Sequence, residues 1–281
     1  MQILREVVAH CDAAAIPVLP VKGIVTSRWL YSDVAERPIT DVDVRVRAQD
    51  LRRFQHVAAR AGWRCLRVAL SYRNLVYDFG ALTLDVEAGI GPPGLCGLDA
   101  VTMLERSVRQ EIAPGLRVSV PEIHDHAVLL VINAFKDKIV TAAPSSIGDL
   151  ERVVVQPGFR LGTFVERADQ ARVSTIVWVV ASYMESVRGS GAWAAIRMAI
   201  ESTGRVRRHY AWLVQHELAA AERAPMFLRL LARVGADSWV MQGEALMRAV
   251  ALTVEMGVRG GEGARRRSRA AVEQIRAAEH L

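Results

Sequence analysis

The sequence is short of several things, and each shortage removes a class of protein. It has three cysteines, Cys11, Cys65 and Cys96. Their scatter and odd number fit neither a disulfide framework nor a zinc cluster, so packing is their expected role. Long apolar runs are also missing. The longest, around 127–132 and 176–181, fall far below the roughly 20 residues that span a bilayer, and the opening MQILREVVAH carries no apolar signal region. A soluble, cytoplasmic protein with no membrane partner is the expectation. No internal repeat is visible, which removes the solenoid and propeller architectures. The net charge of +6 and the pI near 9.6 come almost wholly from arginine. That balance favours anionic partners such as nucleotides and permits nucleic acid without requiring it.

What remains is a folded chain, 51% hydrophobic and 23% charged over 281 residues, long enough for two domains. Its most informative stretch is 37–47, RPITDVDVRVR. The period is two, with Val42, Val44 and Val46 on one face of a strand and Asp41, Asp43 and Arg45 on the other. Carboxylates held side by side raise one another's pKa unless positive charge lies between them, and a divalent cation would resolve the conflict. An ordinary acidic surface strand is the plain alternative. The stretch 82–87, LTLDVE, repeats the pattern: Leu82, Leu84 and Val86 share one face, Thr83, Asp85 and Glu87 the other. If the two strands are neighbours, Asp41, Asp43 and Asp85 converge. Two magnesium ions about 4 Å apart would satisfy three such carboxylates while activating a nucleophile and bridging a triphosphate.

The remaining elements frame these strands. Residues 2–15 read as a helix with Ile3, Leu4, Val7, Val8 and Cys11 on one stripe, and 18–21 as a short apolar strand. Lys22-Gly23 then breaks into a helix. Gly23 allows close backbone approach, and the amides opening that helix can hold phosphate oxygens, although a lone glycine at such a junction is more often a turn than a ligand site. Arg37 can contact a phosphate or pair with one of the acids. Asp50 is the expected N-cap of a helix over 51–61, which Gly62 stops. Strands are expected at 63–68, 72–77 and 82–87, with a turn at 78–80. A Gly- and Pro-rich loop at 88–98 precedes a short helix over 99–108 and an extended piece at 116–120. From about Pro121 the periodicity turns helical, over 124–140, 159–188, 192–221, 225–234 and 239–257. His124 and His126 have no cysteine or histidine nearby to complete a metal site and read as ordinary polar residues. Asp149 either orients a phosphate-binding base or caps a helix. The tail from 260 holds GGEG and then ARRRSRAAVEQIRAAEH, a joint and a basic helix whose Arg265, Arg266, Arg267 and Arg269 either touch nucleic acid or form a solvated face.

Taken together, Lys22-Gly23, the spacing of Arg37 to Asp41 and Asp43, Asp85 in LDVE, and the 133–136 element NAFK with Asp149-Leu150 downstream resemble the uncharacterised nucleotidyltransferase family of the DNA polymerase beta superfamily. The resemblance covers roughly 15–155. It implies an α+β fold, a polymerase-beta-like mixed sheet with flanking helices followed by a helical region. The change of periodicity near 119–121 and the composition of the tail divide the chain into a catalytic domain over 1–120, a helical domain over 121–259 and a basic tail over 260–281. The activity implied is metal-dependent transfer of a nucleotidyl group from a nucleoside triphosphate, ATP among the candidates, to a hydroxyl acceptor on RNA, protein or a small molecule. Asp41, Asp43 and Asp85 would be the catalytic and metal-holding residues. Lys22, Gly23, Arg37 and Lys136 would handle the phosphates, each basic residue having a surface salt bridge as its alternative. Glu87 and Asn133 depart from the pattern, since both positions are more often histidine in the family. A noncatalytic nucleotide or nucleic-acid binding protein on the same scaffold is the competing expectation. The acceptor, the base and the oligomeric state are not encoded in any motif.

Overall fold

The computed structural model describes residues 1–69, 71–136, 144–200 and 235–252. The chain opens with α1 (Gln2–Ala13), whose Leu4, Val7 and Cys11 bury one stripe. It continues through β1 (Leu19–Val21), α2 (Gly23–Trp29), β2 (Asp41–Arg45), α3 (Leu51–Arg60), β3 (Arg64–Ala69), β4 (Asn74–Asp78) and β5 (Thr83–Glu87). Then come α4 (Ala100–Arg106) and the hairpin β6 (Val108–Ala113) and β7 (Leu116–Val120). Helices follow: α5 (Ile123–Lys136), α6 (Pro144–Val153), α7 (Leu161–Gln170), α8 (Ser174–Arg188) and α9 (Gly191–Ala199). A further helical segment covers 239–252.

Strands β1 to β5 form one sheet in the order β1-β2-β5-β4-β3, and β6 with β7 forms a second of two strands. The large sheet is mixed. β2 and β5 run parallel, and the other pairs, β1 with β2, β4 with β5 and β3 with β4, run antiparallel. The expected α+β fold of a polymerase-beta-like nucleotidyltransferase, sheet with flanking helices and then a helical region, is therefore the fold observed.

The alternation read from the sequence decides which face of the sheet is packed. Val42, Val44, Leu84, Val86, Leu75 and Tyr77 turn one way and join Leu4, Val7 and Cys11 of α1 and Phe54 and Ala58 of α3 in a single apolar cluster. A second cluster centres on α5. Almost every residue of that helix is buried, the mark of a helix surrounded on all sides rather than lying on a surface. Side chains from β1, from the 90–98 loop and from α7, α8 and α9 close around it.

Several expectations changed in detail. Asp50 stands at the N-cap of α3, but its carboxylate accepts no backbone bond there. It takes the side chains of Arg47 and Arg53 instead. Gly62 does end α3, with φ +74°, a conformation that costs a side-chain-bearing residue steric strain. The helix expected over 159–188 is two helices, α7 and α8. Arg172 adopts φ +57° between them, and Gly97 N–H donates to the Ala171 carbonyl at 2.8 Å. A break carried by an arginine in the left-handed region has no glycine or proline to announce it. Strand β6 was not expected because its VRQEIA sequence buries one strongly apolar side chain, Ile112. Helix α6 was not expected because Gly148 weakens the helical signal in its middle, although the helix runs unbroken through it; a Cβ there would come within 3.0 Å of the Tyr31 hydroxyl. Of the remaining expected elements, the helix at 225–234, the parts of other helices at 137–140, 201–221 and 253–257, and the basic tail with Arg265, Arg266, Arg267 and Arg269 lie outside the described residues.

Candidate active site

The parallel pairing of β2 with β5 aligns Asp43 with Asp85 and Asp41 with Thr83. Because side chains alternate along a strand, Asp41, Asp43 and Asp85 emerge together on the face opposite the valines. They line a cavity of about 660 Å³. Lys22, Gly23, Arg37 and Lys136 line it as well, so the seven residues singled out from the sequence meet in one place. Lys22 and Gly23 reach it at the junction of β1 and α2. Asn133 and Lys136 reach it from α5, three residues apart and hence on one helix face.

The carboxylates are strained electrostatically. Burial, and then the neighbouring charge of Asp43, push the Asp41 carboxyl above its ordinary range, with Lys22, Arg37 and Lys136 pulling it back. Burial, and then Glu87, push Asp85 upward in the same way, and a hydrogen bond from Asn74 opposes them. Asp43 is 2% exposed and is held by the Lys22 ammonium at 2.5 Å. Burial alone would lower the pKa of that ammonium, but the attraction of Asp43, aided by Glu87, outweighs it and the net shift is upward. Lys22 therefore stays charged. Its backbone is also unusual, with φ 50° and ψ −132°, a region where a non-glycine residue is strained by about 1–3 kcal/mol.

Hard oxygen donors without thiolate or imidazole suit a hard divalent cation such as magnesium. The desolvated, mutually repelling carboxylates fit that group, and Asp41, Asp43 and Asp85 are the residues that would hold it. Among the described residues, no group of three or more His, Cys, Asp or Glu side chains forms a ready cage for a metal ion. Asp43 and Asp85 instead take Lys22 and Asn74 as partners. Charge points the same way as donor chemistry. Among the described residues the cavity lining carries four basic side chains, Lys22, Arg37, Lys136 and Arg152, against four acids, Glu36, Asp41, Asp43 and Asp85. Such a lining has no surplus of positive charge among the described residues for a triphosphate, and bound cations would supply it.

Arg37 pairs with neither acid of β2. Its Nε and Nη2 donate to both oxygens of Asp149 at 2.8–3.1 Å, and Tyr31 donates its hydroxyl to the same carboxylate at 2.8 Å. Asp149 lies inside α6, so it caps no helix; it anchors the loop before β2 to the helical region. The remaining guanidinium nitrogen faces Gly23, where a Cβ would come within 2.9 Å of it. That close approach accounts for the glycine. Glu87 forms an ion pair with the buried Arg45 at 2.7 Å, so its carboxylate neutralises a neighbour on the adjoining strand. Tyr31 and Arg152, stacked with the guanidinium 4.2 Å from the ring centroid, complete a wall that sequence reasoning did not find. A usable signal for the two lysines was present, because the chain has three lysines in all, Lys22, Lys136 and Lys138, and two of them line this cavity.

Neither His124 nor His126 lines the cavity. His124 bonds Glu122 and accepts from the Arg160 backbone N–H. His126 is fully buried against Thr26 at 3.0 Å, and burial followed by the charge of Arg37 lowers its pKa to about 3. The unfolded chain binds a proton near the ordinary value of 6.5, so this histidine's contribution is complete above that pH and is lost as the pH falls toward 3. Urea unfolding should show roughly 1.5 kcal/mol lost between about pH 6.5 and 5 from this group. His126→Gln is expected to flatten the slope over that interval, and an unchanged slope would refute the assignment.

With fold and cavity in place, comparison with known proteins gives a direct result: residues 1–189 match the family described as uncharacterised nucleotidyltransferase. The chain belongs to that family. It is thereby a member of the polymerase-beta-like nucleotidyltransferase superfamily. The nucleotidyltransferase match spans the whole of the large sheet and continues through α8. No curated protein matches the chain at a significant level. Among solved structures, the chain is similar to the solution structure of the antibiotic-resistance factor ANT(2'')-Ia, with 15% identity over 76% of this chain and 95% of that one and a TM-score of 0.43. It is also similar to the crystal structure of ANT(2'')-Ia in complex with adenylyl-2''-tobramycin, with 16% identity over 60% of this chain and 95% of that one and a TM-score of 0.42. Among the described residues, no helix is long and apolar enough to cross a membrane.

Proposed function

We propose that this nucleotidyltransferase-family protein transfers a nucleotidyl group from a nucleoside triphosphate to a hydroxyl acceptor, using two magnesium ions held by Asp41, Asp43 and Asp85. The observation that carries this reading is the β2–β5 register, which aligns Asp43 with Asp85 at the floor of a cavity walled by Lys22, Lys136 and Arg152. Magnesium bound there would supply positive charge to the phosphates and lower the pKa of the acceptor hydroxyl. In the reaction the acceptor oxygen forms a bond to the α-phosphorus, the bond from that phosphorus to the α–β bridging oxygen breaks, and pyrophosphate leaves. Asp85 either helps to hold the metal or takes the acceptor's proton. Lys22 and Lys136 are the cations that meet the phosphates, and Gly23, lacking a Cβ, leaves room for the Arg37 guanidinium beside them. Arg37, locked to Asp149, shapes the loop that leads into Asp41 of β2.

Incubation with each labelled nucleoside triphosphate, magnesium and a total cellular extract tests this. The expected result is a labelled product with release of pyrophosphate, abolished by a chelator. Triphosphate binding without pyrophosphate release, whatever acceptor is supplied, would instead identify a noncatalytic binding protein.

A further inference from the structure

We propose that Asn74 is a positioning residue that aims Asp85 at the metal-binding floor, and that Arg67 fixes the orientation of its amide. The inference rests on the reading of Asp85 as a metal-holding carboxylate. Asn74 opens β4, directly opposite Glu87 of β5, and is 5% exposed. Its Nδ2 donates to Asp85 Oδ1 at 2.6 Å and reaches Glu87 Oε1 at 3.5 Å. Its Oδ1 accepts from Arg67 Nη2 at 3.0 Å.

An asparagine amide offers an acceptor on one side and donors on the other, and its neighbours decide which way it points. Here the decision is forced. A flipped amide would set its oxygen against two carboxylates and its nitrogen against a guanidinium. In the observed orientation one oxygen of Asp85 is pinned, which leaves the other for the cavity.

Arg67 reaches this face because of a break in β3. Cys65 pairs with Tyr77 but Arg67 pairs with Val76, so the register slips by one residue between them. In an unbroken strand Arg67 would share the face of Cys65, toward the apolar cluster. The extra residue, Leu66, is 46% exposed, and beyond it the alternation is reversed. Such bulges re-aim side chains, and this one delivers Arg67 to Asn74.

The test is calorimetric titration of manganese(II) into the full-length protein saturated with a nonhydrolysable triphosphate, comparing wild type with Asn74→Ala, Asn74→Leu and Arg67→Met. Circular dichroism monitors folding. Both Asn74 variants are expected to bind the metal at least about tenfold more weakly, with the triphosphate KM at saturating metal changed less than about twofold. Arg67→Met is expected to shift affinity the same way by less. Folded Asn74 variants with wild-type metal affinity would overturn the proposal. If neither Asn74 variant folds, Arg67→Met decides: weakened metal binding supports the role and unchanged binding overturns it. A wild-type protein that binds no manganese overturns both this inference and the metal-dependent reading beneath it, whereas metal binding in wild type with no change in any variant removes the Asn74 role alone.

Discussion

Replacing Asp43 with asparagine is expected to lower nucleotide incorporation by at least about a thousandfold, about 4 kcal/mol in the transition state. Asp43 is the deepest of the three carboxylates, 2% exposed, and it stands directly beside Asp85 in the parallel register. Asparagine keeps the shape and still offers an amide oxygen to Lys22, so the strand and its valines stay packed. What disappears is the negative charge that both Lys22 and a bound divalent cation require. Folding should survive, because the replaced group has nearly the same volume and its partner, Lys22, is 14% exposed and has water within reach. Rates measured with each triphosphate, beside thermal unfolding of the same preparations, check both halves of this statement. Wild-type turnover in folded Asp43→Asn would sink the assignment.

The second large effect is on stability. Arg37→Ala is expected to destabilise the protein by about 3–5 kcal/mol, since it strands a buried carboxylate whose charged partner is gone. Asp149 has a side chain 2% exposed and Arg37 one 12% exposed, and two nitrogens of Arg37 bind both Asp149 oxygens in the bidentate form that adds direction to charge. After truncation the Tyr31 hydroxyl would be left to hold Asp149. The double variant Arg37→Met with Asp149→Leu removes both charges and should recover most of the loss. Urea unfolding of the single and double variants is the measurement. A loss under about 1 kcal/mol in Arg37→Ala would mean that the pair behaves as an exposed salt bridge. The same variant separates two roles for Arg37. If it only braces the loop before β2, the double variant regains activity along with stability; if it meets a phosphate, stability returns and activity does not.

Particular residues show why some of this was legible in advance. The strand at 41–45 was readable because its period of two put valines and carboxylates on opposite faces, and burial in a sheet preserves that pattern. The second carboxylate strand repeated it, and α1 and α3 were readable from their apolar stripes. Less could be read where a partner is far away in sequence. Arg37 had several plausible partners, and its partner, Asp149, is 112 positions distant. Asn74 is a single polar residue in a strand and became notable only when a bulge 7 to 9 positions earlier turned Arg67 toward it. The break between α7 and α8 was invisible because an arginine occupies the left-handed turn.

The carboxylate stretch at 41–43, its echo at Asp85 and the lysine-glycine junction at 22–23 were determined by the sequence alone, because alternation along an unbroken strand and the missing Cβ of glycine are local properties. Only the tertiary structure decided that β2 and β5 are parallel neighbours, which aligns Asp43 with Asp85, and that Lys22, Asn74 and Arg45 each neutralise or orient one particular acid. The physical reason is that hydrogen bonds and ion pairs act over a few ångströms of space. Which groups come that close depends on strand order and register, and those are set by packing of the whole chain.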